Sequence, residues 1–347
     1  MKLKKLFTPM SINGCEIPNR LVVTAMVANY CEEDGEATEQ YIRYHEEKAK
    51  GGWGLIITED YAVNPNAKGY ARIAGLYEDG QIEGHKRLTD TIHRYASKIF
   101  CQIYHPGRQT NSRVNGGVQP VAPSAIPCPW CRDLPREITV EEIHQITEQF
   151  GDTALRAKKA GFDGVEVHAA HGYLLAEFLS PYANKRTDEY GGSFENRIRI
   201  VREVMENIRS KVGRDFPVTV RISAEEAMEG GRTIAESRVL AIELEEMGFD
   251  AIHASSGVYS DYCKGIVSTM YQEHGWTVDF AEEIKRVVSI PVITVNRINE
   301  PKMADSIIAM GKADFVGMGR GSLADPWLPK KAKEGKFEDI RYCIGCL

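Results

Sequence analysis

Along this 347-residue chain, short apolar runs rich in β-branched residues alternate with longer segments whose apolar positions recur every three to four residues. From about residue 20 the alternation repeats eight times: LVVTAM (21–26), WGLIITED (53–60), KIFCQIYH (98–105), DGVEVHAA (163–170), PVTVRIS (217–223), DAIHASSG (250–257), PVITVN (291–296) and ADFVGMGR (313–320). Each run is almost continuously apolar at its start, as a strand buried on both faces should be. The intervening segments include TEQYIRYHEEKAKGG, QIEGHKRLTDTIHRYAS, ITVEEIHQITEQFGDTALRAKKAG, SFENRIRIVREVMENIRSKVG and TIAESRVLAIELEEMG. Several open on Ser or Thr with an acid three residues on, and several end at Gly, the start and stop chemistry of helices. Eight such units predict an α/β fold, a closed (β/α)8 TIM barrel, with a doubly wound open sheet as the alternative.

Composition narrows the class without changing the fold. A hydrophobic fraction of 43%, a charged fraction of 27% and a net charge of -6 describe an ordinary, slightly acidic globular protein, with no basic surface for nucleic acid. No apolar run approaches the roughly 18 residues of a membrane span, and MKLKKLFTPM lacks the apolar stretch of a signal peptide, so a cytoplasmic location is expected. The cysteines at 15, 31, 101, 128, 131, 263, 343 and 346 are scattered and do not frame a small core, which argues against a disulfide scaffold. Cys101, inside IFCQIYH, reads as a buried small hydrophobe.

In such barrels the chemistry sits where strands end and the following loops begin. The third strand ends in Gln102 and His105; the fourth runs into His168, His171 and Tyr173; the fifth carries Arg221; the eighth ends in Gly319 and Arg320. Two imidazoles followed by a phenol place hydrogen-bond donors and a proton donor at one rim, although a pair of structural histidines has the same spacing. Zinc is disfavoured, because the spacing is not that of HExxH and no third ligand stands out. Glycines beside Arg320 suit a phosphate, while GxGxxG and Walker patterns are absent. The loop over 106–138 is long for a compact domain, and such loops are usually functional.

Taken together, LFTPMSINGCEIPNR with LVVTAM, CQIYHPGR, GFDGVEVHAAHGYLLAEFLSPYANKRTDEYGGSFENRIR and ADFVGMGRGSLADPWLPKKA resemble the old yellow enzyme family of flavin-dependent ene-reductases over nearly the whole chain. The resemblance implies FMN across the barrel mouth. Ala25 and Met26 would meet the ring through their backbone, Gln102 its pyrimidine edge, Arg221 its electron-rich side, and Gly319 and Arg320 the phosphate. His168 and His171 would bind the carbonyl or carboxylate oxygen of an enone or enoate, and Tyr173 would donate the proton. NAD(P)H is the implied ultimate electron donor, and a homo-oligomer is allowed.

Three positions depart from the family pattern. Val27 replaces a Cys or Thr that tunes the flavin, Asp60 replaces a small residue and is expected to point away from the ring, and Asn296-Arg297 replaces a Gly near the phosphate. In the loop CPWC, Cys128 and Cys131 are expected to shape the substrate pocket with Trp130 lining it, a zinc or redox pair being the alternative; His253, Ser255 and Tyr259 are possible substrate contacts. The terminal RYCIGCL resembles the start of the cluster segment in relatives of the 2-enoate reductase, dienoyl-CoA reductase and trimethylamine dehydrogenase type. By that resemblance residues 1–335 are the FMN barrel, and 336–347 begin an iron-sulfur segment with Cys343 and Cys346 as two of four ligands. A 4Fe-4S cluster is then expected only if the chain continues beyond 347, with FAD and NAD(P)H sites in further domains. Competing functions are an amine or steroid-type dehydrogenase of the same subfamily, or a substrate module inert with NADH by itself.

Overall fold

Eight parallel strands close on themselves in the computed structural model, which describes residues 3–259 and 266–346. In chain order they are β1 (Leu21–Val23), β2 (Leu55–Ala62), β3 (Lys98–Tyr104), β4 (Gly164–Ala169), β5 (Val218–Ser223), β6 (Ala251–Ser255), β7 (Val292–Thr294) and β8 (Phe315–Gly317), with β8 pairing back onto β1. All eight expected strands are present, and the closure of β8 on β1 excludes the open sheet. Cys263 lies outside the described residues. Among those described, no helix is long and apolar enough to cross a membrane.

The helices α1 (Glu39–Lys50), α2 (Ile82–Ile92), α3 (Val140–Lys159), α4 (Leu174–Leu179), α5 (Phe194–Val212) and α6 (Ile234–Glu246) follow the first five strands. Their starts obey local chemistry in most cases. Thr38 and Ser193 accept backbone N–H bonds as N-caps, and Thr139 with Glu142 forms a full capping box. Thr233 has the same sequence spacing to Glu236 but makes no side-chain cap. Glu236 instead takes a 2.6 Å ion pair from Arg197 of α5, a partner the local pattern cannot reveal.

One end of the barrel is sealed by its own N-terminus. Met10–Ile12 and Cys15–Ile17 form an antiparallel hairpin, turning at Asn13 and Gly14, whose φ values of 43° and 75° are those of a tight mirror-image turn. Ile12 and Ile17 of the hairpin pack with Val22, Leu55, Ile57, Phe100, Ala251, Ile293 and Phe315 from the barrel lining. With that mouth plugged, the opposite one, at the strands' C-terminal ends, is left for ligands.

Strand β2 carries an irregularity that shapes this mouth. Ile57 pairs with Phe100, but Asp60 pairs with Gln102, so one extra residue is accommodated on β2. Glu59 is consequently turned behind the strand, where its carboxylate accepts the backbone N–H groups of Ala28 (2.5 Å), Asn29 (3.0 Å) and Ala74 (3.3 Å) and fixes the turn after β1.

Candidate active site

A cavity of about 280 Å³ occupies the open mouth. Its wall takes Thr24 to Val27 from the turn after β1, Asp60 from β2, Gln102 from β3, His168, His171 and Tyr173 from β4 and the turn beyond, Arg221 from β5, and Gly319 to Gly321 after β8. The nine residues singled out for flavin and substrate thus share one cavity. Cys343 joins its rim, tethered where Asn299 donates to the Cys343 carbonyl at 2.6 Å, while Cys346 is exposed.

Local structure fixes the ligand-facing ends of the two histidines. The N–H of Ala170 donates to His168 Nδ1 at 3.2 Å, so the neutral ring carries its proton on Nε2. His171 sits in the left-handed region at φ 61°, held by its own N–H donating to Ser223 Oγ (2.9 Å). Its Nε2 lies 2.7 Å from Ser255 Oγ, which leaves Nδ1 for a ligand. Burial, reinforced by Arg221, lowers both imidazoles well below their usual range, so they are neutral N–H donors at pH 7. The ring of Tyr173 stands edge-on to His168 with centroids 4.8 Å apart, and burial pushes its phenol well above the ordinary value, so it retains its proton.

The in-register neighbours tie the polar wall together. His168 pairs with Arg221 across β4 and β5, and Arg221 with His253 across β5 and β6. One layer lower, Asp60, Gln102 and Glu166 are successive register partners. Asp60 does not point away: the extra residue in β2 turns it into the cavity, where burial raises its carboxyl to about 7 despite the opposing field of Arg221. Asn296 and Arg297 also line the cavity, both with positive φ, and Arg297 is held by the Thr269 carbonyl at 2.7 Å.

Other expectations are corrected. Trp130 is more than half exposed and is not part of the cavity wall, nor are Cys128 and Cys131; the CPWC loop packs outside it. Ser255 and Tyr259 reach the site, Ser255 through His171 and Tyr259 as a wall residue, whereas His253 is buried behind, bonded to Glu166 at 2.9 Å. Tyr70, also on the wall, comes from an aperiodic loop and left no signal in the sequence.

Whether FMN fits can be judged from the polar atoms that are left over. Gln102 Oε1, Arg221 Nε and Arg320 Nη1 are buried without hydrogen-bond partners among the described residues. One acceptor and two guanidinium donors complement the polar edge of a flavin and a phosphate. Beside them, a Cβ added at Gly319 would come within 2.9 Å of Thr24 Oγ1, so the backbone there is open only because no side chain fills it. The residues present fit FMN.

A closed parallel barrel with this donor set at its C-terminal mouth has the architecture of a flavin-binding barrel. Comparison with known proteins agrees: the chain belongs to the NADH:flavin oxidoreductase / NADH oxidase family, whose family model matches residues 5–339, and FMN is its cofactor. It is 47% identical to the NADH oxidase of Thermoanaerobacter brockii, over 98% of this chain and 52% of that protein. It is 38% identical to the cinnamate reductase of Clostridium sporogenes, over 99% and 55%. The structure of 2-naphthoyl-CoA reductase in complex with 2-naphthoyl-CoA superposes with a TM-score of 0.95 at 34% identity, covering 99% of this chain and 54% of that one. The chain therefore spans about half the length of these relatives.

Proposed function

We propose that this barrel reduces the conjugated C=C bond of an enone or enoate, with His168 and His171 holding the substrate oxygen and Tyr173 protonating the α-carbon. The observation that carries this reading is the arrangement of a buried, proton-retaining phenol beside two neutral imidazoles, each with one ring nitrogen left free, that line the same cavity. FMN, when bound, supplies the hydride that adds to the β-carbon. As that carbon is reduced, negative charge grows on the substrate oxygen, and donors aimed at it stabilise the transition state more than the ground state. One such donor is commonly worth about 3 to 4 kcal/mol. Ala25 and Met26 would seat the ring, Gln102 and Arg221 its polar edge, and Gly319 and Arg320 the phosphate. The names of the cinnamate and 2-naphthoyl-CoA reductases support a conjugated acid or thioester as the substrate class.

Residues 336–347 begin, on this reading, a segment in which Cys343 and Cys346 supply two of the four thiolates of a 4Fe-4S cluster, with NAD(P)H as the ultimate donor through further domains. The position of Cys343 on the cavity rim supports it. A second reading, an amine dehydrogenase, is favoured by Asp60, whose cavity carboxylate would pair with a substrate ammonium.

Tyr173→Phe tests the assignment. With flavin reduced chemically, so that the electron source is immaterial, cinnamate reduction should fall by about 10² to 10⁴ while flavin remains bound, the usual contribution of a general acid. Undiminished turnover would sink it. Oxidation of amines without reduction of enoates would favour the second reading.

A further inference from the structure

We infer that Tyr173, Tyr259 and Tyr70 form a proton relay that reloads the Tyr173 phenol from solvent after each reduction, an inference that rests on Tyr173 being the proton donor. The Tyr173 hydroxyl lies 3.4 Å from that of Tyr259, and the Tyr259 hydroxyl 3.4 Å from that of Tyr70. Exposure rises along the series: Tyr173 is 5% exposed and Tyr70 is 37% exposed, with Tyr259 between them. The chain thus begins at the reacting wall and ends at solvent.

The other phenol packed on Tyr173 does not offer that route. Tyr104 packs edge-on against Tyr173 with centroids 5.2 Å apart, but it is fully buried and its hydroxyl accepts the Gly69 N–H at 2.8 Å. His168, on the other side, directs Nδ1 to the backbone of Ala170. Tyr259 is the hydroxyl partner of Tyr173.

The need for a relay follows from burial. Once the phenol has given up its proton, a phenolate is left in a low-dielectric pocket where it is poorly solvated, and substrate and cofactor displace the water that would otherwise neutralise it. The steps balance simply. The Tyr173 O–H bond breaks as the α-carbon C–H bond forms; the Tyr259 proton then moves to the Tyr173 oxygen, the Tyr70 proton to the Tyr259 oxygen, and a solvent acid reprotonates Tyr70. No electrons travel this way, and one solvent proton is consumed for each hydride delivered. The 3.4 Å separations exceed the roughly 2.7–2.8 Å of a settled O–H···O bond, so the rings must close by several tenths of an ångström before each hop, a side-chain motion far faster than typical turnover.

The test uses the flavin-loaded protein with Tyr259→Phe and Tyr70→Phe, each of which removes one oxygen and keeps the ring packing. In a single turnover of chemically reduced enzyme with cinnamate, product and proton uptake are followed together, the latter with a pH indicator in weak buffer. In the unmodified protein the two should coincide. In Tyr259→Phe, product should still form in the first turnover, because Tyr173 starts protonated, while proton uptake lags at least about tenfold and is accelerated by added imidazole buffer. Tyr70→Phe should show the same lag to a smaller degree. Uptake that keeps pace with product in both variants overturns the relay. A Tyr173→Phe variant with undiminished first-turnover product would instead overturn the donor assignment, so the two failures are distinct.

Discussion

Glu166 holds Gln102 by its amide nitrogen: the Gln102 Nε2 donates to Glu166 Oε1 at 2.6 Å, so the amide oxygen is the end left without a protein partner in the cavity wall. The second carboxylate oxygen is 2.9 Å from His253 Nδ1, and all three side chains are fully buried. Glu166 is not part of the cavity wall, yet it decides which end of the Gln102 amide faces the cavity, and so which end the proposed flavin contact would use.

Glu166→Leu should expose that dependence. The substitution keeps an apolar strand interior but leaves Gln102 Nε2 and His253 Nδ1 buried and unpaired, at a cost of about 1–3 kcal/mol for each group. FMN affinity, read by quenching of flavin fluorescence on titration, should weaken about tenfold, equivalent to about 1.4 kcal/mol. Wild-type affinity in this variant would show that Gln102 keeps its orientation without Glu166.

Asp60 yields a stability prediction with a definite sign. Its carboxyl rises from 3.8 to about 7 on burial, with Glu59 and Glu166 adding to the shift and Arg221 opposing it. The folded protein therefore holds this proton more tightly than the unfolded chain, and the resulting stability, present below about pH 4, is lost as pH rises toward 7. Asp60→Asn removes the titration. In flavin-free protein its advantage over the parent should be small near pH 4, grow through pH 7 and then level off, reaching at most a few kcal/mol. Denaturant melts at several pH values measure it; a constant difference across that range would refute the buried ionisation.

The contrast between Asp60 and the strands shows what the sequence could convey. Runs such as VTVRIS and GVEVHA are buried along their whole length, so a continuous apolar pattern marks them, and the residues at their ends fall at the barrel mouth by topology alone. Asp60 was misplaced because an extra residue in β2 breaks the alternation on which facing is inferred. Trp130 was misplaced because an aperiodic loop carries no facing information. Glu166 left a usable signal, an acid flanked by valines inside a buried strand, which needs a polar partner to be tolerated there. Tyr70 left none, and neither did the pairing of Glu236 with Arg197, which depends on how two helices meet.

Cys128 and Cys131 are free thiols whose environments pull in opposite directions. The thiol of Cys131 donates to Cys128, and the backbone N–H groups of Cys131 and Trp130 and the Arg108 charge assist, bringing Cys128 down to about 6 against the effect of burial; Cys131 is pushed up in turn. Thiolate absorbance near 240 nm should therefore titrate with a midpoint below the ordinary thiol range, the thiolate being present above it. Cys128→Ser should abolish that step, and Cys131→Ala should move the midpoint upward. A protein without thiolate absorbance at pH 7 would contradict the assignment.

The phosphate seat proposed above is best probed at Gly319. A Cβ there would approach Thr24 Oγ1 to 2.9 Å and Met26 Sδ to 3.0 Å, closer than packed atoms tolerate, so both side chains must give way. Thr24 and Met26 are themselves cavity-wall residues from the turn that Glu59 fixes, so relief at Gly319 is taken from the proposed flavin seat rather than from solvent-facing structure. At Gly321, two residues on, the nearest atom to an added Cβ is Met318 Cβ at 3.4 Å, a tight contact but one away from that turn. Gly319→Ala should consequently lower FMN affinity by about tenfold or more, taking overpacking at about 1–3 kcal/mol, while leaving the melting behaviour of flavin-free protein little changed because Met26 can move into the empty cavity. Gly321→Ala should weaken binding less. Equal losses at the two glycines would mean that the close approach at Gly319 has no part in seating the cofactor.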